Sequence, residues 1–100
     1  MAQWINSRVA VGATAVSLPA AAKTLNGAAP SYLRIAVEDQ AIRVRFDGTA
    51  PTSGGTIGVV YAAAATDEFY LEQDATFVTN FRAIEEVGGS PAVLQIAARF

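Results

Sequence analysis

Four acidic side chains fall close together at Asp67, Glu68, Glu72 and Asp74, the one stretch where carboxylate oxygens could gather around a hard cation such as calcium. A calcium loop alternates its acidic ligands about an obligatory glycine. Here Phe69, Tyr70 and Leu71 interrupt the cluster and no glycine is near, so a solvated acidic loop is the better reading and no metal site is expected. The sequence has no histidine and no cysteine. That removes the commonest general base and metal ligand, the thiolate nucleophile, zinc clusters and disulfide staples. Asp47 and Thr49 stand close together, but with no base beside them the carboxylate reads as a turn-stabilising group. Gly54-Gly55 and Gly88-Gly89 are isolated doublets lacking the Gly-rich loop, helix and lysine of a phosphate cradle. No catalytic residue and no cofactor are expected, and an enzyme is the least favoured class.

Binding chemistry has more to work with. Arg43 and Arg45 share one strand face by period-two spacing, and with Arg34 on a neighbouring strand they could form a cationic patch that grips an acidic partner. The plainer alternative, and the preferred one, is a solvated sheet surface whose arginines pair locally with Glu38 or Asp47. Trp4, the lone tryptophan, has two open readings: a plug at the end of a barrel, or an anchor on an N-terminal arm (1–7) that docks into a neighbouring subunit. The phenylalanines Phe46, Phe69, Phe77, Phe81 and Phe100 read as core.

The elements that must position these groups are short strands. Turn signals recur about every ten residues, the spacing of an all-β sandwich or barrel. Valine and threonine enrich 7–17, with a bulge expected at Gly12. Pro19 to Lys23 reads as one helical turn, followed by a reversal at Asn26-Gly27. Alternation across Tyr32 to Glu38 and Ala41 to Phe46, with a tight turn at Asp39-Gln40, predicts a half-buried antiparallel hairpin. Asp47-Gly48 then supplies the positive φ angles of a sharp reversal, and Ala50-Pro51 keeps the backbone that follows it extended. Further strands are expected over 56–62, 69–72, 81–87 and 92–100, with 62–65 as a strand end and its turn, and a short helix capped by Asp74. The fold class expected is all-β: a compact antiparallel β-sandwich or jelly-roll-like barrel of about eight short strands, in a single domain spanning 1–100.

Composition bears on partners. Hydrophobic residues make up 52% of the 100 positions and charged residues only 16%, so the polar surface is lean and burial against a partner would relieve exposed apolar patches. Nine acidic residues against seven basic ones leave a net charge of −2, which argues against a phosphate-backbone binder, and no nucleic acid is expected as a partner. Arg8 followed by the apolar 9–22 has the outline of a secretory signal, but Gly12, Thr14, Ser17 and Pro19 dilute it. With Met1 retained, synthesis in the cytoplasm is expected. No run reaches the roughly 20 apolar residues that cross a bilayer, so no membrane association is expected.

The segments RVRFDGTAPT (43–52) and FRAI (81–84), with the Gly-bearing 56–61 between them, resemble small β-rich structural proteins of tailed bacteriophages. The likeness covers roughly the last two thirds of the chain. It implies a virion protein made in the host cytoplasm: a capsid decoration or cement protein that binds the major capsid protein as a homo-oligomer, with a trimer favoured. A head–tail connector or tail component is the alternative within the same class. A carbohydrate-binding module using Trp4, Tyr32, Tyr61 or Tyr70 is a third possibility, weakened by the scatter of those aromatics along the sequence.

Overall fold

In a strand whose side chains alternate between faces, the apolar set must find a second layer to cover it, and two sheets packed face to face are the smallest solution. A computed structural model of the chain describes residues 3–100. Its strands are β1 (Trp4–Val11), β2 (Tyr32–Glu38), β3 (Ile42–Arg45), β4 (Val59–Tyr61), β5 (Thr66–Tyr70), β6 (Arg82–Glu85) and β7 (Ala92–Arg99), with short helices α1 (Ala20–Lys23) and α2 (Ala75–Asn80). One sheet has the order β1-β7-β2-β5 and the other β4-β3-β6, with every pairing antiparallel. The protein is an all-β sandwich. The described strands number seven, one for each segment read as a strand, against the round figure of about eight; the first of them starts at Trp4 and ends at Val11, and the chain past Gly12 leaves that sheet.

Leu33, Ile35 and Val37 of β2, with Leu94, Ile96 and Ala98 of β7, form the floor of the core; Ile42 and Val44 of β3, Ala83 of β6 and Phe81 close it from the other side. Burial of each large aliphatic side chain contributes about 1.5–3 kcal/mol, so this layer is the main source of stability. At one end Phe46 joins Phe69, Phe77 and Phe81, with ring centroids 5.7, 5.4 and 5.8 Å from Phe46. That cluster fastens α2 onto the sandwich. The helix begins where the Asp74 carboxylate accepts the Thr76 N–H at 2.9 Å, the cap read from the sequence.

The expected hairpin over 32–46 is corrected. β2 pairs with β7 and β5, β3 pairs with β4 and β6, and the two strands face each other across the core from different sheets. Period-two alternation is the same for hairpin partners and for strands on opposite sheets, so it could not separate them. The turn chemistry does: a two-residue hairpin of type I′ needs two positive φ angles, whereas only Asp39 (φ 77°) is left-handed here, and the chain turns a corner instead of doubling back. Asn26 (φ 53°) and Gly27 (φ 81°) do make such a two-residue reversal, closed by paired hydrogen bonds between Leu25 and Ala28.

The N-terminal arm is corrected too. Residues 1 and 2 of the expected 1–7 segment lie outside the described residues, but Trp4 to Ser7 run inside β1, in register with Arg99 to Ile96 of β7. Gln3 and Phe100 extend the ladder with hydrogen bonds of 3.2 and 2.8 Å. Hydrogen bonding to a central strand outweighs the local polarity that suggested a free arm.

Two glycines are tied to this architecture. Gly48 (φ 83°) lies in the turn after Phe46, donates to the Asn80 carbonyl at 3.0 Å, and leaves only a movable Asn80 side chain 3.1 Å from where a Cβ would stand. At Gly58 (φ 120°) a Cβ would meet the Val44 carbonyl oxygen at 2.8 Å, backbone that cannot swing away. Gly48→Val is expected to cost about 1–3 kcal/mol of stability in chemical denaturation, through the strained turn alone. Gly58→Ala should lower stability at least as much despite its smaller side chain, since it adds a backbone clash between β3 and the entry to β4. A Gly58→Ala protein as stable as the parent would show that this approach is looser than described.

Candidate functional site

Arg34, Arg43 and Arg45 do not form one patch, because the strands that carry them belong to different sheets. Arg34 is exposed on the outer face of the first sheet, opposite Glu68 of β5 and Ala97 of β7. Arg43 is buried on the second sheet and forms a two-pronged pair with Glu86, Nε to Oε2 at 2.8 Å and Nη2 to Oε1 at 2.9 Å. Arg45 bonds the Asp47 carboxylate with both Nε, at 3.0 Å, and Nη2. The local-pairing reading therefore holds for Arg45 with its expected partner Asp47, while Arg43 pairs with Glu86, 43 positions away. That distance in sequence hid the partner. Ile42, Arg43 and Val44 are all buried, which the alternation of the sequence did not show.

Asp47, Gly48 and Pro51 form the turn as read. The Asp47 carboxylate also accepts the Thr49 N–H at 3.2 Å, and Pro51 is buried. The Arg45 guanidinium, followed by that backbone bond, holds the Asp47 carboxyl at about 2, below its ordinary 3.8. The acidic stretch disperses: Asp67 accepts the Tyr61 phenol at 2.6 Å, Glu68 points outward and Asp74 caps α2. Burial and the Asp67 bond push the Tyr61 phenol far above its ordinary range, so Tyr61 is a fixed donor to Asp67. Among the described residues, no three acidic side chains converge on a point that could hold a metal.

The aromatics that looked scattered are brought together. β1, β7, β2 and β5 lie side by side, and Trp4, Arg99, Tyr32 and Tyr70 occupy one register row across all four. All four point away from the core. Trp4 meets Tyr32 at 5.6 Å between ring centroids with the planes at 74°, and Tyr32 meets Tyr70 at 5.3 Å and 64°. Edge-to-face contacts at this spacing are favourable for aromatic quadrupoles. Trp4 remains 53% exposed and Tyr70 78%, so neither ring plugs the sandwich. Burial and the neighbouring Glu68 charge raise the Tyr32 phenol above its ordinary value. Beside the row, Asn6, Arg34, Ala36, Gln95 and Ala97 line an open groove of about 230 Å³. Tyr61, on the other sheet, is not part of this face. The sequence did contain a signal: Trp4 and Tyr32 each precede a buried or half-buried inward residue and Tyr70 follows one, so all three take outward positions. What could not be read was the strand order that aligns them.

A second feature is the free edge of β4. Among the described residues this strand has a neighbour on one side only, and Val59 (45%), Val60 (46%) and nearby Ile57 (61%) are exposed along it. By contrast, the β6 edge is covered by 12–16, through hydrogen bonds of 2.8 Å between Val16 and Ala83 in both directions and 3.0 Å from Glu85 to Gly12. An uncovered apolar edge invites pairing with another chain. Compared with known proteins, the chain matches no family model, no curated protein and no solved structure. Fold and surfaces together define a small β-sandwich with an outward aromatic row on one sheet and an exposed apolar β4 edge on the other.

Two outcomes follow for the ion pairs. Because the folded Asp47 pKa lies below its ordinary value, its pairing stabilises the fold above about pH 4, and that contribution is lost as pH falls through about 2. The difference in Tm between the parent and Asp47→Asn should therefore be present at neutral pH and close over that window. For Arg43 and Glu86, Glu86→Ala should lower Tm more than the double change Arg43→Met with Glu86→Leu, since the single change strands a buried guanidinium. Thermal melts of the variants measure both.

Proposed function

We propose that this protein is a non-catalytic structural component of a tailed-phage virion: a capsid decoration or cement protein that binds the assembled head as a homo-oligomer, with a trimer favoured. The observation that carries the reading is the open β4 edge, where Ile57, Val59 and Val60 stay exposed beside unpaired backbone. A copy of the same chain or a capsid subunit laid along that edge would bury those side chains and complete the ladder. A ring of three closes such a head-to-tail contact, so that no β4 edge is left unpaired. The resemblance of 43–52 and 81–84 to phage β-proteins and the lean charge of the chain point the same way.

The mechanism under this reading is mechanical. Each copy bridges neighbouring subunits of the major capsid protein, and many weak bridges acting together raise the free energy needed to rupture the shell. A rigid sandwich suits that task because it transmits load without rearranging.

Particles made without the protein should assemble normally but release their genome at lower temperature and under milder osmotic shock than complete particles. Adding back the purified protein should restore the parent behaviour, and adding back Val60→Lys should not, because a charge on the β4 edge blocks pairing. Native mass in solution should fall from oligomer to monomer in that variant. Stripped particles as robust as complete ones, or copies confined to the portal vertex, would overturn the assignment.

A further inference from the structure

Among the described residues nothing covers the outer face of the first sheet, which carries exposed rings at one end and planar hydrogen-bonding groups around a floor of alanines. We infer that this face is a binding site for a neutral oligosaccharide, with Trp4 and Tyr70 stacking on the C–H faces of sugar rings and Asn6, Arg34 and Gln95 bonding their hydroxyls.

Four features select this occupant. The two exposed rings flank Tyr32, whose edge-to-face contacts hold the row in place, so the apolar platforms are pre-organised. The amides of Asn6 and Gln95, the latter oriented by donating from Nε2 to the Glu38 carboxylate at 2.9 Å, and the Arg34 guanidinium offer donors and acceptors in planes that match pairs of adjacent hydroxyls. Small Ala36 and Ala97 leave the groove between Asn6 and Arg34 open, so a ligand can lie close to the sheet. Finally, the face carries both signs of charge, Arg8, Arg34 and Arg99 with Glu38 and Glu68, and is not the all-cationic surface that a polyanion needs.

The same geometry disfavours an extended peptide. β7 and β2 are central strands whose backbone groups are already paired, so no strand can be added over the groove. The rings touch one another at 5.6 and 5.3 Å, which leaves no slot between them for a proline. The proposal is independent of the virion reading, since it uses the opposite sheet from the β4 edge.

Trp4 is the only tryptophan, so its fluorescence reports directly on this face. Purified protein is titrated with cellohexaose, maltoheptaose and chitohexaose, with decaproline and heparin as the peptide and polyanion probes. At least one of the three neutral oligosaccharides should change Trp4 emission saturably. Tyr70→Ala and Arg34→Ala should each weaken that binding roughly tenfold, with the fold retained and Tm lowered at most slightly, since both side chains are exposed and Tyr70→Ala gives up only the contact with Tyr32. Isothermal titration of Trp4→Ala should show the same loss without relying on fluorescence. No saturable response to any of the three up to millimolar concentration overturns the proposal. So does binding that Tyr70→Ala and Arg34→Ala leave intact, or a response confined to decaproline or heparin. Particle robustness is a separate readout, so failure here leaves the β4 edge reading standing, and the reverse also holds.

Discussion

The register of β2 between β7 and β5 is the constraint on which the rest of the molecule depends. In that register Leu33, Ile35 and Val37 face the core, while Tyr32, Arg34, Ala36 and Glu38 face out. A slip of one residue would exchange the two sets, expose three aliphatic side chains at about 1.5–3 kcal/mol each and press two charges into the core. The same register aligns Tyr32 with Trp4 and Tyr70, and Arg34 with Glu68 and Ala97. Core and outer face are therefore two sides of one pairing decision.

The two outer faces use charge in opposite ways. On the second sheet the arginines of β3 are consumed internally, Arg43 by Glu86 and Arg45 by Asp47, and the apolar character is concentrated at the free β4 edge. On the first sheet the polar groups remain accessible and the aromatic rings contact one another. A chain with few charges can thus keep one surface neutral through pairing and another open for contact.

Local signals in the sequence carried most of the fold. The alternation of β2 and β3, the Asn26-Gly27 reversal, the Asp47-Gly48 turn, the helical turn after Pro19 and the Asp74 cap were all legible, because each rests on backbone preferences or spacing within a few residues. Strand order was not. Alternation reports which side of a strand is apolar and nothing about its neighbour, so β2 and β3 looked like a hairpin, and Trp4, in polar surroundings, looked like an arm. The candidate site suffered most. Both the Arg43–Glu86 pair and the aromatic row are formed by strands distant in sequence, and neither becomes visible until β7 is placed between β1 and β2.

That placement of β7 bears on how the molecule is made. β7 follows the other described strands in sequence, yet it occupies an inner position of the larger sheet, hydrogen-bonded on both sides. While the chain emerges from a ribosome, β1 and β2 are complete long before the strand that joins them exists. Through that interval β1 lacks its sheet partner, and the apolar faces of both strands lack their full cover. Native assembly of this sheet therefore waits for β7 and is rich in distant contacts, which makes it slow and leaves incomplete copies open to pairing with one another. A chaperone that shields these two strands until synthesis reaches β7 would act on yield without touching the stability of the finished fold.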